Sequence, residues 1–308
     1  MRGKKPKIIV IVGPTASGKS EFGVQLARKI SGEIISADSR QIYKGLDVGS
    51  GKVRGKWQKI KKSKSFIYKG VQHHCIDIAN PKRIFTAADF VECGWRALAN
   101  IMSRGKTPII VGGTGFYIDA LMGRAQLAPV PPNPLLRKKL GKKSTAQLFA
   151  ILKKLDSVRA KTIDSKNPRR LIRAIEIICS TKQKGFSLSS LAPAGSKPVQ
   201  SSSVLWLGIQ HSPEDLKRRV HKRLIARLPG IVREVKKLHR QKVSWKRLYD
   251  FGLEYRYVSL YVQGKTNYQL MTTRLQTAIW HYARRQMTWF KRNKQIRWIN
   301  RARLSRVS

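Results

Sequence analysis

The chain has 308 residues, with 64 Lys and Arg against 16 Asp and Glu and a formal charge of +48. Three cysteines, Cys75, Cys93 and Cys179, show no CxxC spacing, which argues against a zinc site and against a disulfide framework. No apolar segment approaches the length of a membrane span. A hydrophobic content of 41% supports a real core, enough for one large α/β domain or a core domain with an insertion. So large a charge opposes compaction unless polyanions offset it, and nucleic acid is the natural polyanion. A general cationic adaptation or an anionic membrane surface are the alternatives.

Met1 to Val12 is basic and then apolar, like a secretion signal, but the apolar run is short. It reads instead as a first core strand, Lys7–Val12, of a cytoplasmic protein. It feeds into Gly13-Pro14-Thr15-Ala16-Ser17-Gly18-Lys19-Ser20, a complete GxxxxGK[ST] loop followed by a helix-compatible segment, Glu21 to Ile30. Strand, glycine-rich loop and helix in that order make a phosphate cradle. Glycines let backbone N–H groups close around phosphate oxygens, the helix N-terminus adds its dipole, Lys19 adds a point charge and Ser20 offers an oxygen to Mg²⁺.

Glu33–Ser36 reads as a second strand, ending at Asp38-Ser39-Arg40-Gln41. In an open α/β sheet strand C-termini meet at the ligand crevice, so Asp38 is expected near the bound phosphates. There it could ligate Mg²⁺ or its waters, act as a general base, or simply cap a turn. The lysine-rich stretch Val53–Ser65 lacks periodicity and reads as a surface excursion, with a further strand somewhere in Phe66–Ile78. Thr86-x-x-Asp89 is a capping-box start for a helix to about Arg104, stopped by Gly105. Thr107–Val111 is a buried strand, and Gly112-Gly113-Thr114-Gly115-Phe116-Tyr117 turns out of it as either ordinary turn chemistry or a ligand contact.

From Pro129 to about Thr181 only helices are expected, one capped by Asn167 with Pro168 in its first position and Leu171, Ile172, Ile175 and Ile178 on one side. Gly185–Ser203 reads as a loop and Val204–Ile209 as a returning core strand. Ser212-Pro213 starts a long basic helix that should break near Pro229-Gly230. A last helix covers about Met271–Arg292, with Ile279, Tyr282, Gln286 and Trp289 on a core face and Arg284, Arg285, Lys291 and Arg292 left for phosphates. The expected fold class is therefore α/β: a P-loop NTPase-like parallel sheet flanked by helices, made of residues 1–125 and 200–308, with an all-helical insertion, 126–199.

Taken together, GPTASGKS, ISADSRQIYKGLDVGSGK, HHCID, FTAADF, PIIVGGTGFYIDAL, NPRRLIRAIE and HYARRQMTWFKR resemble the tRNA dimethylallyltransferase family, in the family's order from about Ile8 to Trp298. The resemblance implies that the loop Gly13, Thr15, Ala16, Ser17, Gly18, Lys19 and Ser20 holds the diphosphate of dimethylallyl diphosphate, with Mg²⁺ at Ser20. It implies that the N6 amine of the tRNA adenine 3′ of the anticodon attacks the prenyl carbon and that diphosphate leaves. Asp38 matches the family's base, Arg219 its diphosphate-contacting arginine and Thr114 its channel hydroxyl. Ser39, Arg40 and Gln41 align beside the flipped base. Arg137, Pro168, Arg169, Arg170 and the Phe251–Arg256 stretch match tRNA contacts, with Arg284 and Arg285 added here for their charge. The family's Gly-Tyr-x-Glu element stands as Gly252-Leu253-Glu254-Tyr255, and its run after the arginine helix is shortened to Arg227-Leu228-Pro229-Gly230. No zinc-finger pattern follows, which gives the expectation of a bacterial-type, monomeric enzyme. The rivals are a P-loop nucleotide or small-molecule kinase, which has no use for +48, and an ATP-dependent nucleic-acid-binding protein, whose second acidic motif is matched only weakly by Ile76-Asp77.

Overall fold

A computed structural model describes residues 8–60, 63–183 and 204–300. The chain divides into two compact units, one made of residues 1–125 with 198–308 and the other of 126–197. In the first, the uninterrupted apolar run Ile8–Val12 forms β1, buried at every position. A strand of this kind, with no polar face, belongs at the centre of a parallel sheet covered by helices on both sides. Along the chain there follow α1 (Lys19–Lys29), β2 (Glu33–Ala37), β3 (Lys56–Ile60), β4 (Ser63–Tyr68), β5 (Val71–His74), α2 (Ala87–Ser103), β6 (Pro108–Gly112) and α3 (Gly115–Leu121). The insertion holds α4 (Pro134–Leu140), α5 (Thr145–Leu155), α6 (Ser157–Thr162) and α7 (Pro168–Gln183). The chain returns with β7 (Val204–Gln210), α8 (Pro213–Arg240), α9 (Trp245–Phe251), α10 (Leu253–Val262), α11 (Tyr268–Phe290) and β8 (Arg297–Asn300).

The sheet order is β3-β4-β5-β2-β6-β1-β7-β8. All pairings from β5 to β8 are parallel, and β3 and β4 extend that edge as an antiparallel hairpin. Val53–Ser65 is thus not an irregular excursion: it contains β3 and the start of β4, both turned to solvent at their lysine-rich ends. Its alternation was invisible because every residue of β3 is exposed, so no apolar face marks the period. Val53–Ser65 includes residues 61 and 62, which lie outside the described residues, as do Lys7 and the whole of the expected Gly185–Ser203 loop.

The long helix α8 does not break at Pro229. Its apolar stripe Leu216, Val220, Leu224, Leu228, Ile231, Val235 and Leu238 runs buried across the proline in register. Pro229 itself is exposed, as is Ile225, whose carbonyl loses its helical partner there and can bind water instead. Burial of the stripe outweighs a local cost of about 3 kcal/mol. Two helices, α9 and α10, and the edge strand β8 were not foreseen.

The insertion has a core of its own in Leu140, Leu148, Leu152, Leu171, Ile175 and Ile178. Beside it sits Glu176, 1% exposed, which accepts from the Asn133 N–H (2.6 Å), from Arg137 Nε (2.8 Å) and from Arg173. Burial works against its charge, yet the bonds from Arg137, Asn133 and Arg173 outweigh it and hold the carboxyl down at about 2. A depressed carboxyl stabilises the fold above its unfolded pKa, and that contribution is lost as pH falls through the folded value. Glu176→Gln is expected to lose about 2 kcal/mol of stability at pH 7. In urea titrations the gap between variant and parent should close as pH falls from about 4.3 towards 2; a gap independent of pH would show that the charge is irrelevant.

Candidate active site

Strand register places the site. Val12 and Ala37 both pair with Gly112, on either side of it. The residues that follow, Gly13, Asp38 and Gly113, therefore leave the sheet side by side, at the C-terminal ends where α/β sheets bind ligands. Gly112 permits the close approach: a Cβ there would lie 2.1 Å from the Ala37 carbonyl oxygen.

The loop Gly13–Lys19 wraps with Ala16 (φ 62°) and Gly18 (φ 87°) in left-handed conformations. Its carbonyls are held outward. Lys19 Nζ donates to the Pro14 oxygen (3.2 Å), Arg219 Nε to the Ala16 oxygen (3.0 Å), and His211 Nε2 pairs with the Ser17 oxygen (2.9 Å). His211 is oriented in turn by Asp215 through its other ring nitrogen at 2.7 Å. The Ser17 N–H turns back to the Pro14 oxygen (3.2 Å), and it is the remaining N–H groups of the loop that can serve an anion. Gln286 completes the frame, accepting from the Thr15 N–H (2.8 Å) and donating to the Gly113 carbonyl (2.8 Å), so it ties the loop to the turn after β6.

The loop borders a cavity of about 300 Å³ whose wall includes Thr15, Lys19 and Ser20 with Asp38, Ser39, Arg40 and Gln41. Asp38 Oδ1 accepts from the N–H groups of Arg40 (2.8 Å) and Gln41 (3.3 Å), an arrangement that fixes the carboxylate. Thr114 starts α3 without capping it. Its hydroxyl instead accepts from the Ser39 N–H at 3.1 Å, which joins the β2 and β6 turns beside the cavity. Arg256 and Arg285 also line the wall, whereas Arg284 is exposed and lies off it. Arg137 is spent largely on Glu176 within the insertion, where Pro168, Arg169 and Arg170 form the exposed first turn of α7.

From α8 the arginine on the cavity wall is Arg223, one helical turn beyond Arg219. Arg219 holds the loop's backbone through the Ala16 carbonyl and is not among the residues lining the cavity, whereas Arg223 is. The L-x-x-R-x-x-x-R pattern held both candidates, and only helix phase separates them. Burial, then the neighbouring Arg227, pulls the Arg223 guanidinium down to about 10. Burial likewise brings Lys19 down to about 8, against the pull of Asp38. A second carboxyl, Glu254, lines the cavity and is raised by burial despite Arg227 and Arg223 nearby. Asp77, the weak candidate for an ATPase acid, is bound by Lys52 Nζ (2.6 Å) and Trp57 Nε1 (2.8 Å) and does not line this cavity.

The chain matches the profile of the IPP transferase family over residues 41–293. It belongs to that family. It is 39% identical over 298 residues to tRNA dimethylallyltransferase 1 of Geotalea uraniireducens, covering 95% of this chain and 92% of that one. To tRNA dimethylallyltransferase 2 of Shewanella sediminis it is 40% identical over 301 residues, covering 96% and 94%. The fold is similar to the crystal structure of the tRNA isopentenylpyrophosphate transferase of Bacillus halodurans, with a TM-score of 0.65, 30% identity and coverage of 96% and 90%. Family membership accounts for the loop without a nucleotide kinase, and it leaves the seating of Arg223 as a feature to be read from the coordinates.

That seating depends on a second loop. Glu234, eleven residues after Arg223 and so on the same face of α8, accepts from the N–H groups of Asp47 (2.8 Å), Val48 (2.6 Å) and Gly49 (2.9 Å) and from the Tyr255 hydroxyl (2.8 Å). The pinned loop brings Gly51 (φ 66°) against Arg223, where a Cβ would lie 1.8 Å from a guanidinium nitrogen. Gly51→Ala is expected to weaken binding of inorganic diphosphate about tenfold, measured by calorimetry. Gly70→Ala is the control, with similar backbone (φ 78°) and nothing within 4 Å. Equal effects of the two would assign the loss to backbone strain rather than to Arg223.

Proposed function

We infer that this protein transfers a dimethylallyl group from dimethylallyl diphosphate to the exocyclic N6 of the tRNA adenine 3′-adjacent to the anticodon, releasing diphosphate. The observation that carries the reading is the joining of a phosphate loop, a fixed carboxylate and a half-buried lysine and arginine around one cavity, in a chain of this family. The loop N–H groups, Lys19 and Arg223 bind the diphosphate and take up the charge that develops as the prenyl C1–O bond breaks. The N6 lone pair forms the new bond to C1. The proton that N6 sheds goes to Asp38, whose Oδ1 is anchored by two backbone N–H groups while Oδ2 has no hydrogen bond to the described residues. Thr114, Ser39 and Gln41 border the path of an adenine taken out of its stack. Basic side chains on both units, among them Arg256, Arg285, Arg169 and Arg170, supply sequence-independent contacts to tRNA phosphates.

Magnesium prefers oxygen donors, keeps several waters and is usually held through a phosphate ligand. The Ser20 hydroxyl on the cavity wall, with Asp38 close by, fits that pattern, and among the described residues no cluster of three acidic, His or Cys side chains offers a protein cage. Bound there, Mg²⁺ would add neutralising charge to the diphosphate. Among the described residues no helix is long and apolar enough to cross a membrane.

The deciding experiment offers labelled dimethylallyl diphosphate and unmodified tRNA, and separately ATP. Label should pass to tRNA from the prenyl donor; ATP turnover without prenyl transfer would overturn the reading in favour of a kinase. Asp38→Asn is expected to lower the single-turnover rate by about 10²-fold or more while tRNA affinity changes little. An unchanged rate would remove Asp38 from the proton transfer.

The lowered Lys19 gives a pH dependence of definite sign. The ammonium is charged below about 8 and is lost as pH rises past that value, whereas the anionic donor binds the charged form. KM for dimethylallyl diphosphate is expected to rise about tenfold between pH 7.5 and 9. Lys19→Arg, which stays charged throughout, should flatten that rise. A flat profile in the parent protein would place the lysine outside the diphosphate contact.

A further inference from the structure

A second and larger hollow of the core unit, about 670 Å³, is walled by β4, β5 and the N-terminal half of α2, and it shares no residue with the Lys19 cavity. Cys75 and Cys93 both line it. Cys75 leaves the end of β5 in a left-handed conformation, φ 53°, and is 3% exposed. Cys93 lies in the second turn of α2 and is half-buried. Both are free thiols, yet their sulfurs are 2.6 Å apart, within reach of the about 2.05 Å of a disulfide without movement of the backbone. Cysteines separated by 18 residues, one on a strand end and one on a helix, gave no spacing signal in the sequence.

The surroundings make the two sulfurs unequal. The hydrogen bond from Cys75 is the main influence that lowers the Cys93 thiol, against burial and with help from Arg96. The same contact, followed by burial, raises Cys75. Thiolate character therefore gathers on the more open sulfur, as in attacking cysteines of thiol–disulfide exchange. The wall carries Lys64, Arg83 and Arg96 against Asp89 and Glu92, the last paired with Arg96 at 2.7 Å, and the positive balance suits an anionic reagent.

We propose that Cys75 and Cys93 form a redox site at which an anionic low-molecular-weight disulfide, entering this hollow, closes an intramolecular disulfide. The Cys93 thiolate attacks one sulfur of the reagent, and the S–S bond breaks to release a first thiolate. Cys75 then gives up its proton and attacks Cys93 Sγ, expelling the second thiolate. Two protein thiols are oxidised, the reagent is reduced to two thiols, and the two protons leave with them. Cys179, in the insertion, takes no part.

The test uses the full-length reduced protein and glutathione disulfide, followed by denaturation, alkylation and mass analysis. The expected product is two hydrogen atoms lighter, carries a Cys75–Cys93 cross-linked peptide, retains no glutathione and leaves Cys179 alkylated. It forms at least about tenfold faster than any glutathione adduct at Cys179, and dithiothreitol reverses it. Cys75→Ser should stop at a stable glutathione adduct on Cys93. Should that variant misfold, the parent protein decides alone. Three alkylatable cysteines after exposure, a glutathione adduct persisting on Cys93 of the parent, or a cross-link to Cys179 would each overturn the proposal.

Discussion

A phosphate loop works only if its peptide units are turned, N–H groups towards the ligand and carbonyls away. Left alone, a backbone would not hold that orientation, since the carbonyls would be free to rotate inward and repel the anion. Here three consecutive structural choices prevent it: Lys19 holds the Pro14 carbonyl, Arg219 the Ala16 carbonyl and His211 the Ser17 carbonyl. Two of those three side chains come from the segment after β7, about 200 residues further along the chain. The site is thus assembled only when β7 has docked beside β1, and β7 pairs with β1 along Ile8–Val12. Folding of the terminal segment and formation of the anion site are one event.

The charge imbalance gives each carboxylate unusual weight. Of 16 acidic residues, most that are buried hold joints together. Glu33 gathers Arg104, Lys106 and His74 at the foot of the sheet. Burial opposes its ionisation, but those three partners together keep it well below the usual carboxylate range. Glu176 organises the insertion, and Glu234 pins the Asp47–Gly49 backbone. With so few anions available, +48 is left almost wholly on the surface, where tRNA phosphates can neutralise it.

How much of this was legible in the sequence depends on whether a feature is local. The phosphate loop, the Thr86–Asp89 capping box and the Asn167-Pro168 helix start are fixed by neighbours in the chain, and each stands where its pattern put it. Pro229 misled because its local cost is set against burial of residues on either side of it, which composition alone does not weigh. Arg219 and Arg223 are both basic and one turn apart, and only packing of α8 decides which faces the cavity. His211, Glu234 and Gln286 were passed over or placed merely in the core, because these partners lie 173 to 271 residues away, in the backbone of another loop. A side chain whose function is to hold a distant carbonyl or N–H leaves no motif.

The cavity contains two carboxyl groups, and their surroundings divide the labour between them. Burial raises the pKa of Glu254, against the pull of Arg227 and Arg223. Asp38 is held differently: two backbone N–H groups fix one of its oxygens. Burial lowers the pKa of Lys19 and of Arg223, and both lie close enough to Asp38 for its charge to pull them back up. In the proposed transfer the proton acceptor is Asp38, the carboxylate fixed by the turn after β2 with its second oxygen left open, rather than Glu254, whose proton burial holds more tightly.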